Sequence, residues 1–211
     1  MMQRLFVWLP CGLMFVCVAL GGACASKEEV FVRDLGVLVP DNTAQKREAV
    51  ELVDRAYRVY HDSGKGEQRR VREAAELLER AIRLDPGFAT AHLNLGVLHL
   101  EQKSYPTAIS LLRRAQMLMP SDARPSYHLG VAYYQMGHSR PAIDAFLEAV
   151  QADPADFRAV RGLAVACRSE HFATDRTHEI LRRAQMIEPD EAWRQIIGRE
   201  VARQKRQLEI G

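Results

Sequence analysis

Two groups of side chains in this sequence have residue types that could do chemistry. His92 and His99 lie seven residues apart, a spacing that places both imidazoles on one face of a helix, where they could ligate zinc. No catalytic signature accompanies them: the chain lacks a G-x-S-x-G elbow, a phosphate-binding Walker loop, an H-E-x-x-H motif and a C-x-x-C or C-x-x-C-H pair. The sequence therefore predicts a protein that is not an enzyme.

Cys24 is the second candidate, because it follows an apolar leader. Arg4 is the only charged residue before Lys27, and the apolar run from Leu5 to Leu20 is shorter than a comfortable membrane span. A charged start, an apolar centre and a small-residue end are typical of a secretory leader. We predict a signal peptide over residues 1–23 and exclude it from the fold.

The residues around Cys24 are compatible with more than one processing reaction. The segment LGGAC (20–24) resembles a bacterial lipobox, although its leucine lies one residue further from the cysteine than in most lipoboxes. The resemblance implies that Cys24 is the lipidation site and, with Ala25 after it, that the lipoprotein is sorted to the outer membrane. The segment ACA (23–25) instead fits ordinary signal peptidase, which would release a soluble periplasmic chain beginning at Ser26. An uncleaved membrane anchor is the third alternative.

The composition excludes several classes of protein. The 211-residue chain is 47% hydrophobic and 27% charged, which is neither a disordered nor a fibrous composition. Its net charge is only +2, so it has no whole-molecule basic field of the kind that attracts nucleic acid. Cys167 is the only cysteine after Cys24 and cannot form an internal disulfide in the mature chain. A single core or a single stack of repeats is expected from this length.

Four segments after residue 76 repeat one pattern. They read LLERAIRLDP, LLRRAQMLMP, AFLEAVQADP and ILRRAQMIEP, and they end at Pro86, Pro120, Pro154 and Pro189. The steps between these prolines are 34, 34 and 35 residues, which is the period of the tetratricopeptide repeat (TPR). From about Glu51 to its C-terminus, the sequence resembles a TPR protein.

This resemblance implies an all-α solenoid of helical hairpins, with about four repeats and a C-terminal capping helix. We predict a tether at 24–42, a degenerate first repeat at 43–88, regular repeats at 89–122 and 123–156, a degenerate fourth repeat at 157–189 and the capping helix at 190–211. In the regular repeats, Gly96 and Gly130 lie inside helices, where glycine costs about 1 kcal/mol relative to alanine. Close approach of the paired helix must offset this cost, and Leu112 and Phe146 are expected to fill the space between hairpins.

The outer units depart from the regular pattern. The first has a long polar turn at 62–66, and the fourth has Thr177 where the family has alanine. Beyond Pro189, apolar residues recur at helical spacing with arginine and glutamate between them; they are Trp193, Ile196, Ile197, Val201 and Leu208. We predict that this last helix covers the apolar face of the fourth hairpin.

The repeat register also predicts the role of the remaining candidates. His92 and His99 fall at packing positions of one repeat, Cys167 falls at a packing position of another, and Met117 and Met186 share a repeat position. We predict that all five pack in or beside the core, and that the protein has no metal site and no cofactor.

In TPR proteins the ligand usually lies in a groove lined by the first helix of each hairpin, because a curved array presents side chains from every unit to one ligand. The resemblance places twelve residues on this groove: Leu93, Asn94, Val97, Glu101, Tyr127, Val131, Tyr134, Gln135, Arg158, Arg161, Val165 and Arg168. The surface runs from apolar and aromatic to basic, which favours a protein or peptide ligand with a hydrophobic anchor followed by acidic groups. The alternative is that the arginines form only a solvated face.

Leader and repeats together predict a bacterial envelope lipoprotein that binds another envelope protein and helps to assemble or position it. Its layout is similar to the TPR pilotin lipoproteins of type IV pili and to TPR adaptors that recruit peptidoglycan hydrolases. Its partners would be that protein and the membrane, through the lipid on Cys24, with no nucleic acid. A soluble periplasmic chaperone for apo- or unfolded proteins is the alternative, and it would follow from cleavage after Ala25.

Overall fold

The computed structural model describes residues 43–64 and 66–210, and these residues form nine α-helices. The helices are α1 (Thr43–Tyr60), α2 (Glu67–Leu84), α3 (Ala89–Glu101), α4 (Tyr105–Leu118), α5 (Ala123–Gln135), α6 (Ser139–Ala152), α7 (Phe157–Ser169), α8 (Asp175–Ile187) and α9 (Glu191–Ile210). None of the helices in this part of the chain is long and apolar enough to cross a membrane. The predicted leader, Cys24 and the whole of the predicted tether lie outside the described residues.

The helices pack as consecutive hairpins. The pairs α1 with α2, α3 with α4 and α5 with α6 have the most extensive contacts, and α3, α5, α7 and α9 also contact one another in sequence. The first helices of the hairpins therefore form one layer and the second helices another. This arrangement confirms the predicted all-α array of about four hairpins followed by a capping helix.

Glycines set the distance between the two layers. A Cβ atom on Gly130 would lie 2.6 Å from the ring of Phe146 in the same hairpin, and one on Gly162 of the next hairpin would lie 2.5 Å from the same ring. A Cβ atom on Gly96 would lie 2.8 Å from Leu112. Phe146 and Leu112 are both almost fully buried. The close approach predicted at Gly96 and Gly130 is confirmed.

The turn inside the hairpin recurs at 34-residue intervals with an unusual backbone. Lys103, Gly137 and His171 all have positive φ, at 61°, 77° and 51° respectively. This left-handed conformation suits glycine and is disfavoured for other residues, because Cβ approaches the following carbonyl oxygen. The fold therefore imposes the same turn on all three units, although only one of them has glycine there.

The fourth hairpin is held mainly by the capping helix. Helix α8 packs more extensively on α9 than on α7, and Ile197 of α9 is completely buried. Polar residues of α9 are buried beside it: Gln204 is 0% exposed and Glu200 is 3% exposed. The predicted apolar stripe is therefore only part of the contact: Leu208 at its end is exposed, and two polar side chains complete the contact.

Thr177 has a structural reason to replace alanine. Its backbone N–H donates to the Thr174 hydroxyl and its own hydroxyl accepts from the Thr174 N–H, which makes a reciprocal cap at the start of α8. The Thr177 hydroxyl also lies 3.1 Å from Gln204 Oε1. The Thr177 side chain thus joins the first turn of α8 to α9.

Two packing predictions from the sequence are wrong. Met117 and Met186, which were expected to pack, are 66% and 67% exposed. They are the penultimate residues of α4 and α8, where the helix ends before a proline and leaves their side chains exposed.

Candidate functional site

A cleft of about 280 Å³ opens between α1, α2, α3 and α5. Its apolar part is formed by Ala56, Ala74, Leu78, Leu93, Val97 and Leu98. Its polar and aromatic part is formed by Tyr57, Tyr60, His61, Asn94, Glu101, Arg124 and His128. Three consecutive hairpins contribute to it, so the cleft exists only when the array is assembled.

Aromatic rings from α1 border the cleft. Tyr57 is 64% exposed, and its ring centroid lies 4.3 Å from that of His61, the residue directly after α1. Tyr60 meets the His61 ring edge-on, with centroids 5.1 Å apart. An exposed tyrosine beside an apolar depression is a frequent binding anchor, because it contributes a large contact area at little cost in conformational entropy.

The acidic group of the cleft already accepts a hydrogen bond. The Tyr60 hydroxyl donates to Glu101 Oε2 at 2.8 Å and so ties the end of α1 to the end of α3. This hydrogen bond, together with burial and the Glu101 charge, raises the pKa of Tyr60 above its usual value. Glu101 is therefore held in place before any ligand arrives.

The basic groups of the cleft are also compensated. Arg124 pairs with Asp122 at the start of α5, with Nη2 2.6 Å from Oδ2 and Nε 3.0 Å from Oδ1. Burial, and then the positive charges of Arg158 and Arg124, lower the pKa of His128 to about 4. His128 is consequently neutral at pH 7, and the cleft has little net charge.

The structure distributes the predicted groove residues over several environments. Leu93, Asn94, Val97 and Glu101 all line the cleft. Of the α5 set, Tyr127 and Val131 pack partly against the core, Gln135 is exposed, and the Tyr134 hydroxyl lies 3.2 Å from that of Ser169. Their role in binding a ligand stays a prediction.

The predicted basic end of the groove, on α7, is largely engaged within the chain. Arg158 pairs with Asp156 at 2.8 Å and lies over the ring of Tyr127. Arg161 donates from Nε to Glu188 at 3.1 Å, and the Glu188 side chain is fully buried.

The remaining members of the α7 set differ in exposure. Arg168 is exposed and forms no ion pair with any other described residue, whereas Val165 is half-buried. Arg168 is therefore the one α7 arginine whose charge is not paired with another described residue.

Sequence reasoning missed part of the cleft. His128 directly follows the predicted groove residue Tyr127, and Arg124 lies about one helical turn before it. The aromatic residues at the end of α1 were not assigned to the groove. The spacing of Tyr57, Tyr60 and His61, at intervals of three and one residues, places them on one side of α1 and was an available signal.

The predicted packing of the candidate histidine pair and of Cys167 is confirmed: His92 and Cys167 are buried, and His99 is half-buried. His92 is 7% exposed, and its Nε2 lies 3.0 Å from the Pro86 carbonyl oxygen. Cys167 is fully buried, and desolvation raises the pKa of its thiol to about 12. Within the described residues, no group of three or more His, Cys, Asp or Glu side chains is arranged to hold a metal ion.

Fold and groove together define an α-helical repeat protein. Two family models, both described as tetratricopeptide repeat, match residues 63–128 and 99–167. Residues 63–167 therefore consist of tetratricopeptide repeats, and the protein is a TPR repeat protein. A comparison with curated proteins finds no match.

Solved structures are similar to this array in fold. YrrB, described as a TPR protein with an unusual peptide-binding site, is 17% identical with a TM-score of 0.60, over 79% of this chain and 84% of its own. MamA is 20% identical with a TM-score of 0.55, over 87% of this chain and 99% of its own. The first TPR of Spaghetti (RPAP3), bound to the HSP90 peptide SRMEEVD, is 16% identical with a TM-score of 0.55, over 60% and 96%. At these identities the likeness shows the fold alone.

Proposed function

We propose that this protein is a non-catalytic scaffold that binds a segment of another cell-envelope protein in its groove and helps to assemble or position that protein. The cleft between three hairpins carries the proposal, because it combines an apolar floor, exposed aromatic rings and hydrogen-bonding groups at one place. The ligand segment places a hydrophobic side chain in the cleft, and its acidic groups extend towards Arg168.

The membrane part of the proposal is supported by the leader. The segment LGGAC (20–24) supports a lipid on Cys24 and a location on the outer membrane, facing the periplasm. One substitution tests it: Cys24→Ala should shift the protein from the membrane fraction of its native host to the soluble fraction. The intact mass of the wild-type protein should show an acylated Cys24, and a plain start at Ser26 would contradict the tether.

Photo-crosslinking tests the groove. A photoreactive amino acid at Asn94, inside the cleft, should capture one stoichiometric partner in native membranes. The same amino acid at Met117 is the matched control, since Met117 is exposed but does not line the cleft. Equal capture from both positions would contradict binding through the groove.

A charge reversal tests the acidic preference. Arg168→Glu should weaken capture of the partner, while Arg114→Glu, a reversal at an exposed arginine of α4, should leave it unchanged. Arg161 is unsuitable for this test because it pairs with the buried Glu188, so its substitution would disturb the fold. If Arg168→Glu leaves the capture unchanged, the proposal that the ligand carries acidic groups is wrong.

The soluble periplasmic chaperone is the second candidate, and the ACA segment (23–25) favours it. A chaperone for apo- or unfolded proteins would crosslink from Asn94 to many clients in the soluble fraction, instead of one partner in the membrane. A mature N-terminus at Ser26, together with crosslinks to many clients, would favour the chaperone function over the membrane-tethered scaffold.

A further inference from the structure

We infer that the cleft recognises an uncharged, proline-containing segment in the polyproline II conformation. This inference rests on the proposed function and specifies the part of the ligand that enters the cleft. It is drawn from three properties of the cleft: its charge balance, its aromatic border and its supply of hydrogen-bond donors.

Charge complementarity favours an uncharged segment. Arg124 is paired with Asp122, Glu101 accepts from Tyr60, and His128 is neutral at pH 7. An acidic ligand side chain would be repelled by Glu101, whose charge the neutral Tyr60 hydroxyl does not cancel, and would find Arg124 already paired. A basic side chain would compete with the Tyr60 hydroxyl for Glu101 and would lose hydration in a partly apolar cleft, which is costly. An uncharged side chain encounters neither penalty.

The aromatic border fits proline rings. Tyr57, Tyr60 and His61 present ring faces and edges along the last turn of α1, opposite Leu93 and Val97 of α3. Aromatic-lined grooves bind polyproline II segments in several unrelated domains, because the preformed ligand helix loses little entropy and its flat rings pack against aromatic faces.

The hydrogen-bonding groups fit a ligand rich in carbonyl groups and poor in N–H groups. Among the described residues, the Tyr57 hydroxyl and the Asn94 side-chain amide have no hydrogen-bond partner, and both can donate into the cleft. A proline-rich segment has carbonyl oxygens without an internal partner and lacks N–H groups at each proline. Donors on the protein and acceptors on the ligand therefore match.

Peptide binding to the purified full-length chain tests the inference. Three blocked, fluorescent peptides are compared: an uncharged proline-rich peptide of roughly ten residues, about 30 Å long as polyproline II; the same peptide with alanine for each proline; and SRMEEVD, the peptide of the RPAP3 complex. The proline-rich peptide should bind at least about tenfold more tightly than its alanine counterpart. Its Kd should change less than about twofold between roughly 50 mM and 500 mM salt, since no ion pair forms.

Tyr57→Ala should raise the Kd of the proline-rich peptide by about tenfold or more, because the substitution removes an aromatic anchor. Its exposure means that the substitution removes little packing, and an unchanged melting temperature checks this. Val50→Ala is the matched control, because Val50 is an exposed apolar residue of α1 that does not line the cleft.

The outcomes separate the two proposals. If only SRMEEVD binds, if its binding depends on salt and if Tyr57→Ala does not change it, the inference is wrong and the proposed groove function stands. Equal binding of the proline and alanine peptides would also overturn it. If no peptide binds and the Asn94 crosslink is absent as well, both the inference and the groove function fail.

Discussion

At the scale of single residues, the turn inside each hairpin makes the sharpest stability prediction. Lys103 has φ of 61° and an exposed side chain, at the position where the next unit has Gly137. Lys103→Gly should stabilise the protein by about 0.5–1 kcal/mol, because glycine adopts this conformation without the Cβ penalty. Urea denaturation measures the change. The opposite substitution, Gly137→Ala, should destabilise by about 1 kcal/mol, and a loss of stability in both variants would contradict the explanation.

The buried carboxylate of Glu188 should make the stability of the fold depend on pH. Glu188 accepts from Arg161 and from the backbone N–H of Asp190, and the Arg161 hydrogen bond holds its pKa below the usual value of 4.5. A lowered pKa contributes stability at neutral pH, and this contribution is lost as pH falls from 4.5 through the folded-state pKa. Glu188→Gln should cost about 1–3 kcal/mol at pH 7.

Denaturation of wild type and variant at several pH values measures this effect. The difference between them should be constant above pH 5, about half a unit over the usual pKa, and should shrink as the solution becomes more acidic. Glu76→Gln is the control, since Glu76 is 68% exposed in its pair with Arg72 and should give no measurable difference. A difference that does not depend on pH would show that the charge of Glu188 is not what stabilises the contact.

At the scale of helices, the start of α8 decides how the fourth unit is held. Thr177 completes the cap with Thr174 and lies 3.1 Å from Gln204 of α9. Thr177→Ala restores the family residue, yet it should destabilise by about 1–2 kcal/mol, because the Thr174 N–H loses its acceptor in the cap and the buried amide oxygen of Gln204 loses its donor. Thermal denaturation measures this, and Thr107→Ala on exposed α4 surface should change little. A stabilised Thr177→Ala variant would mean that packing, not capping, dominates here.

At the scale of the whole molecule, α9 is a structural part of the array and not an appendage. It covers α8, buries Ile197, and its Arg203 donates to the Phe172 carbonyl oxygen at 2.8 Å. A chain that ends at Pro189 should lose this cover, bind an apolar dye and melt at least about 10 °C lower, because an uncapped repeat exposes its apolar face. Removal of residues 206–211 alone should have little effect, since the described residues of that segment are exposed. An unchanged melting temperature for the shorter chain would contradict the role of α9.

The sequence by itself determined the architecture of the array. Pro86, Pro120, Pro154 and Pro189 mark the period, and glycine with alanine marks the close helix contacts. These signals are local and repeat in each unit, so a hairpin can be inferred without knowing what surrounds it. The burial of His92 and Cys167 followed from the same register.

Only the tertiary structure decided the chemistry of the groove. The pairing of Arg161 with Glu188 joins residues 27 positions apart, and the cleft needs α1, α3 and α5 together. The burial of Gln204 likewise depends on the packing of α9 on the fourth hairpin, and the left-handed turn at Lys103 depends on the packing of α3 against α4. Helical periodicity places a side chain on a face of its own helix, but the charge and access of that face depend on residues contributed from elsewhere in the chain.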